Sequence, residues 1–245
     1  MDTSGFFAQI PQRARLPIFH RQLRVLETEW ALHTHQVEPL LPSRRLHPLR
    51  IAPGYCLLVV ALRQCLASDL GPHDELVVGF PCTLDEPSYQ FAGTLRQTPS
   101  TLMVLHGLGV STETARQASD ELLLTRGFAA EFAFDEDEDG WVSGLASQGG
   151  TGLLRMSVRR GPAVPVARWR QPVLSERSGY LLRWDHLIGE HEASVSHHSA
   201  DARLEWGPHA LGRAMAGLTL GPLVACRYSP QCPAIAGPIV ESLAC

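Results

Sequence analysis

Residues 110–134 read VSTETARQASDELLLTRGFAAEFAF, and this stretch contains both kinds of regular structure the chain uses. Ser111 or Thr112 can cap a helix by offering a side-chain oxygen to the free N–H groups of its first turn. Glu113 then suits the positive end of the helix dipole. Ala115, Ala118, Leu122 and Thr125 fall on one face, Arg126 sits in the last turn, and Gly127 is a good stop. From residue 128 the period changes. Phe128, Ala130, Phe132 and Phe134 alternate with Ala129, Glu131 and Ala133, which is the period-two pattern of a strand.

Outward from this stretch the texture is almost all strand. Short runs rich in Val, Leu and Ile, often bounded by Pro or Gly, predict strands over 24–35, 48–62, 75–82 and 101–108. In the second half they predict strands over 128–134, 141–146, 152–159, 180–187, 193–198 and 218–227. Asp139-Gly140 is a hairpin turn signal, and residues 149–152 (Gly-Gly-Thr-Gly) form another turn. A shorter helix is expected over 209–216 and a turn of helix over 36–41. No internal repeat or long linker divides the chain, so residues 1–245 are expected to form one mainly β (α+β) domain with one main helix.

Composition narrows the function classes. The formal net charge is −4, so the chain as a whole makes no electrostatic case for nucleic acid. Its apolar runs all fall short of the roughly 18 residues a membrane-crossing helix needs. Met1-Asp2-Thr3-Ser4-Gly5 lacks the basic and apolar pattern of a secretory signal, which sets the expectation of a cytoplasmic protein. All 21 residues counted as Lys plus Arg are Arg. With no lysine, no side chain can form an imine with a carbonyl compound.

The metal-binding residue types are present without a recognisable spacing. Cysteines 56, 65, 82, 226, 232 and 245 include no Cys-x-x-Cys pair and are expected as free, buried thiols. His33 and His35 would share one face of a strand, but no third ligand follows at a recognisable interval, so an ordinary pair is expected. His197 and His198 would point opposite ways. No metal site and no cofactor is therefore expected.

Other familiar patterns stop short. Residues 135–140 (Asp-Glu-Asp-Glu-Asp-Gly) match the first half of a calcium loop, but its closing carboxylate position holds Ala146, so an acidic hairpin tip is expected. Gly107-Leu108-Gly109 lacks the third glycine of a dinucleotide loop, Thr112 standing there instead. No nucleophile elbow or phosphate loop occurs. Arg168-Trp169-Arg170 is a small basic patch that a solvated strand edge explains.

Three segments in order resemble the acetoacetate decarboxylase superfamily. Leu40-Leu41-Pro42 with Leu46-His47-Pro48 is similar to its early leucine-proline turn. Residues 68–78 are similar to its Gly-x-Tyr-x-Glu segment, and residues 110–134 to its helix leading into Gly-aromatic-Pro-Lys. The resemblance covers about residues 15–160, and the C-terminal third matches only in its strand-rich texture. It implies a large, strongly bent antiparallel sheet closing into a cone or barrel around a pocket, and assembly into a homo-oligomer.

The same resemblance implies decarboxylation through an imine between a lysine and a β-keto acid. Here the motif places Ala130 at the nucleophile and Glu131 at the neighbouring lysine, so that mechanism is closed. Glu75 matches the family's acidic pocket residue, with His73 in place of its aromatic partner, and Arg21 or Arg24 could correspond to its pocket arginine. Three functions stay open on these residues. One is a protein binding a small oxo acid or carboxylate through Glu75, an early Arg, His73 and His106. The second is a carbon-carbon lyase or other enzyme using Glu75, Glu131 or His106 in acid-base chemistry. The third is an oligomerisation module whose apolar tail, residues 233–245, covers its own domain or a neighbour.

Overall fold

The structure is a computed structural model describing residues 15–89, 101–125 and 127–244. In chain order the strands are β1 (Ile18–His33), β2 (Leu46–Pro48), β3 (Tyr55–Ser68), β4 (His73–Leu84), β5 (Leu102–Val110), β6 (Gly127–Ala129), β7 (Glu131–Glu136) and β8 (Trp141–Gln148). They continue as β9 (Thr151–Arg159), β10 (Ala163–Val166), β11 (Trp169–Arg177), β12 (Tyr180–Ile188), β13 (His191–Ser196), β14 (Ala202–Trp206) and β15 (Leu223–Ala244). The helices are α1 (Thr34–Val37), α2 (Glu113–Glu121) and α3 (Ala210–Ala216).

Seven strands close a barrel in the order β1-β3-β4-β5-β11-β12-β15, with β15 returning to β1. All its joints are antiparallel except a short parallel one, where Val173 and Leu174 of β11 face Met103 and Val104 of β5. A second sheet, β14-β9-β8-β7, covers part of the outside.

The near-continuous apolar run of β3 is explained by these two layers. Val59, Ala61 and Arg63 point into the barrel, while Leu58, Val60 and Leu62 pack outward in one core with Val142, Leu154 and Met156 of the second sheet. The pattern repeats on β4, with Glu75 and Val77 inward and Leu76, Val78 and Phe80 outward. Helix α2 and the turn that follows it plug one end of the barrel, Ala118 of the helix and Leu123 of the turn packing on Ile18, Val173 and Trp184.

Several expectations need correction. The strand predicted over 128–134 is two strands in different sheets. β6 runs parallel to β5, β7 leaves for the second sheet, and the chain crosses over at Ala130, whose N–H donates to the Val110 carbonyl at 2.9 Å. An unbroken alternation says nothing about a change of partner. Helix α2 is capped by Thr112 as expected but stops at Glu121, because Leu124 turns left-handed (φ 51°) and Leu122 and Leu123 fold into the barrel end. Arg126 lies outside the described residues.

His33 ends β1 and His35 is already in α1, so the two share no strand face. Their rings stack instead, with centroids 5.5 Å apart. The strand expected over 218–227 starts at Leu223 and runs on to Ala244, so the tail is a stave of the barrel. Pro230 and Pro233 are tolerated there because they lie opposite the two bulges of β1 between His20 and Val25, where the ladder is already interrupted. The sequence reading also missed β10, β11 and β14.

Candidate ligand chamber

The barrel encloses a chamber of about 100 Å³. Its walls are mostly apolar, from Val59, Ala61, Val77, Met103, Val173 and Trp184, and the alternation of each strand carries charged groups onto the same inner surface. Arg63 and Glu75 stand directly opposite on β3 and β4 and meet at 3.3 Å, with side chains only 20% and 15% exposed. The other Glu75 oxygen lies 3.3 Å from Nε2 of the buried His73, whose Nδ1 is 2.9 Å from the Gly71 carbonyl oxygen. That carbonyl can only accept, so Nδ1 carries a proton.

Two opposing effects act on this cluster. Burial alone would push the Glu75 carboxyl up, but the His73 hydrogen bond and the charges of Arg63 and His73 outweigh it and hold the group well below the usual carboxylate range. Burial would likewise lower His73, yet the hydrogen bond and charge of Glu75 raise it, so the pair leans to carboxylate and imidazolium. His20 and His186, also on the chamber wall, have no carboxylate bonded to them. Burial lowers His20 to about 4, and burial with the nearby Arg63 puts His186 well below its usual value. Both are neutral at pH 7.

A second charged group lies elsewhere on the wall. Arg227 of β15 donates to Glu27 at 2.7 Å and also to Glu29, and both carboxylates line the chamber. Outside, a groove of about 590 Å³ carries Arg21, Arg168 and Arg170 and shares His20, Trp169 and Ile188 with the chamber. The groove and the chamber thus meet at those three side chains.

No protein-family model matches the sequence, and no curated protein matches it. Solved structures do match. An acetoacetate decarboxylase is 14% identical with a TM-score of 0.69, over 100% of this chain and 98% of that one. The acetoacetate decarboxylase of Legionella pneumophila is 11% identical with a TM-score of 0.65, over 98% and 94%. The enduracididine biosynthesis enzyme MppR, complexed with pyruvate, is 11% identical with a TM-score of 0.63, over 99% and 94%. This chain has the acetoacetate decarboxylase-like fold. At these identities the likeness is one of architecture, and the residues on that architecture have to be read for themselves.

Among the residues singled out from sequence, Glu75 lines the chamber and His73 holds it from behind. Arg21 is exposed in the outer groove and pairs with Asp69 at 2.6 Å. Arg24 is part-buried beside Gln64 at 3.4 Å, and neither arginine lines the chamber. The guanidinium facing Glu75 is that of Arg63. A signal for it exists in the sequence, because Arg63 continues the parity of Val59 and Ala61 on an otherwise apolar strand, but a strand ended at Leu62 hides it.

His106 is the extra residue of a bulge in β5, since Gly79 faces Leu105 and Val78 faces Gly107. It borders an outer recess with Pro42 and Ser175 and packs against Phe80, 5.7 Å between ring centroids. Ala130 is buried in the core between barrel and second sheet, and Glu131 is exposed and accepts from the Ser147 hydroxyl at 3.3 Å. Neither of these two lines the chamber.

One grouping had no signature in the sequence at all. His20, Cys65 and His73, all buried, place one donor atom each within 4.8 Å of one another. It is the one such cluster of three His, Cys, Asp or Glu donors among the described residues.

Proposed function

We propose that this protein binds a small oxo acid or related carboxylate in its barrel chamber, and that it does so without forming an imine. The observation that carries the reading is the Arg63 guanidinium, mostly shielded from solvent on the wall of a small, mostly apolar cavity. A guanidinium has five N–H donors in a planar fork, and one ion pair with Glu75 leaves donors for the two oxygens of a ligand carboxylate. His186, neutral beside it, can give one N–H to an oxo group without adding charge. The Val59, Ala61 and Val77 side supplies apolar contact for a short alkyl group.

Size supports the same class. A chamber of about 100 Å³ is far below the roughly 300–1,000 Å³ of sites that take drug-sized ligands, so only a molecule of a few heavy atoms suits it. Pyruvate in the similarly folded MppR is of that size and chemistry. With no lysine in the sequence, the electron sink of imine decarboxylation is missing, and the chamber reads as a binding site. Assembly into a homo-oligomer belongs to the same proposal. Light scattering on the purified chain checks it, and a monomer mass would remove it.

The test is ligand-observed proton NMR with pyruvate, acetoacetate and a panel of related oxo acids. Broadened lines without turnover are expected, and Arg63→Met should weaken binding by about tenfold or more, as loss of a charge-assisted hydrogen bond implies. Borohydride added to the same mixtures should leave the protein mass unchanged. Silence across the panel, or a reduced adduct on an internal residue, would overturn the reading.

A further inference from the structure

We propose that His20, Cys65 and His73 form a binding site for one zinc ion. A thiolate with two imidazoles is a donor set that favours zinc among the common divalent cations, whereas magnesium and calcium need oxygen ligands. The three donors come from three adjacent strands. Cys65 of β3 stands directly opposite His73 of β4, and the bulge of β1 between His20 and Leu23 turns the His20 ring toward them. A tetrahedral ion at about 2.0–2.3 Å from each donor needs donors about 3.3–3.6 Å apart. Separations within 4.8 Å therefore close by side-chain rotation of roughly 1 Å, with no movement of the strands.

Three further observations point to a cation. Nδ1 of His20 is buried and has no hydrogen-bond partner, which is costly for a polar atom unless something occupies it. His73 is oriented as metal-ligating histidines commonly are, its Nδ1–H bonded to a backbone carbonyl, so that Nε2, which faces Glu75 at 3.3 Å, is the ring atom that would turn to the ion. Glu75, 3.3 Å from that Nε2, stands outside the group of mutually close donors but sets a negative charge beside it. An approach route exists as well, because His20 lines both the outer groove and the chamber. On binding, the Cys65 thiol and the His73 Nε2–H each give a proton to solvent, and the thiolate sulfur and the freed imidazole nitrogen coordinate, with no change of oxidation state. This site does not depend on the oxo-acid reading, and either can fail alone.

The test uses the full-length chain, stripped with a chelator and titrated with Co²⁺ as the spectroscopic stand-in for Zn²⁺. Expected are one Co²⁺ per chain, the visible bands of tetrahedral cobalt and a thiolate-to-cobalt charge-transfer band, all abolished by one equivalent of Zn²⁺. Cys65→Ser should remove the charge-transfer band, His73→Gln should weaken cobalt binding at least about tenfold, and Cys226→Ser, a buried thiol outside the cluster, should keep the full spectrum. Circular dichroism confirms that each variant is folded. If Cys65→Ser is not, loss of one titratable thiol on adding Zn²⁺ to the wild-type chain, with Cys226→Ser showing the same loss, takes its place. A wild-type protein that takes up no cobalt, or a charge-transfer band that survives Cys65→Ser, overturns the site.

Discussion

Single residues decide what the chamber can do, and the deciding ones are charged groups that parity alone turns inward. Arg63, Glu75, Glu27 and Glu29 occupy the same alternation as the apolar wall. None is left as an isolated charge, since Arg63 takes Glu75 and Arg227 takes the other two. At the outer rim the same logic acts on Asp69. It accepts from the Phe19 N–H at 3.0 Å and from Arg21 at 2.6 Å, and the backbone donor, then Arg21, holds its carboxyl below the ordinary value.

A carboxyl whose folded pKa is depressed contributes stability above its unfolded pKa of about 3.9 and loses it as pH falls through the folded value. Asp69→Asn should therefore cost about 1 kcal/mol at pH 7. The gap to wild type should close below about pH 4. Urea titrations at several pH values measure this, and a difference that stays constant down to pH 3 would assign it to something other than ionisation.

Elements meet where side chains are missing. Gly109 of β5 lets Phe128 and Ala130 cross it, a Cβ there lying 3.1 Å and 3.2 Å from them. The tightest approach is at α3. A Cβ on Gly207 would lie 2.1 Å from the Gly152 carbonyl oxygen, and one on Gly212, inside α3, 2.2 Å from the Gly207 oxygen. Backbone cannot swing aside as a side-chain tip can, so Gly207→Ala should lower stability by about 1–3 kcal/mol. Thermal melting checks it, and an unchanged midpoint would mean that α3 packs less closely on β9. At this scale the sequence was readable in part. The cap at Thr112, the hairpin tip at 137–140 and the His209 start of α3 follow from local chemistry and appear as expected. The split at Ala130 and the early end of α2 do not, because both answer to partners distant in the chain.

For the whole molecule the closing stave is the last strand. β15 bonds to β1 along one edge and to β12 along the other, so the last 22-residue strand completes a barrel begun at Ile18. Removing residues 234–245 would strip β12 of all its pairing with β15, leaving it bonded to β11 alone, and uncover Ile18 and Trp184, which pack with Ala236. Such a truncation should lose its cooperative unfolding transition and become sensitive to limited proteolysis. A sharp transition near the wild-type midpoint would show that the barrel closes without this stave.

What the sequence determined by itself is what depends on neighbours in the chain or on residue type. That includes the mainly β texture, the helix cap, the turns and the absence of any side-chain amine for an imine. The resemblance over residues 68–78 singled out Glu75, and its place on the chamber wall comes from the structure. What only the tertiary structure decided is which distant residues share a surface. Arg63 rather than Arg21 or Arg24 faces Glu75, because ladder register sets the pairing across β3 and β4. His20, Cys65 and His73 gather because three strands and one bulge bring together positions 53 residues apart in sequence, His73 minus His20. Alternation along one strand sets the face each residue takes, but which residues of distant strands stand opposite one another depends on which strands pair and on how the barrel closes.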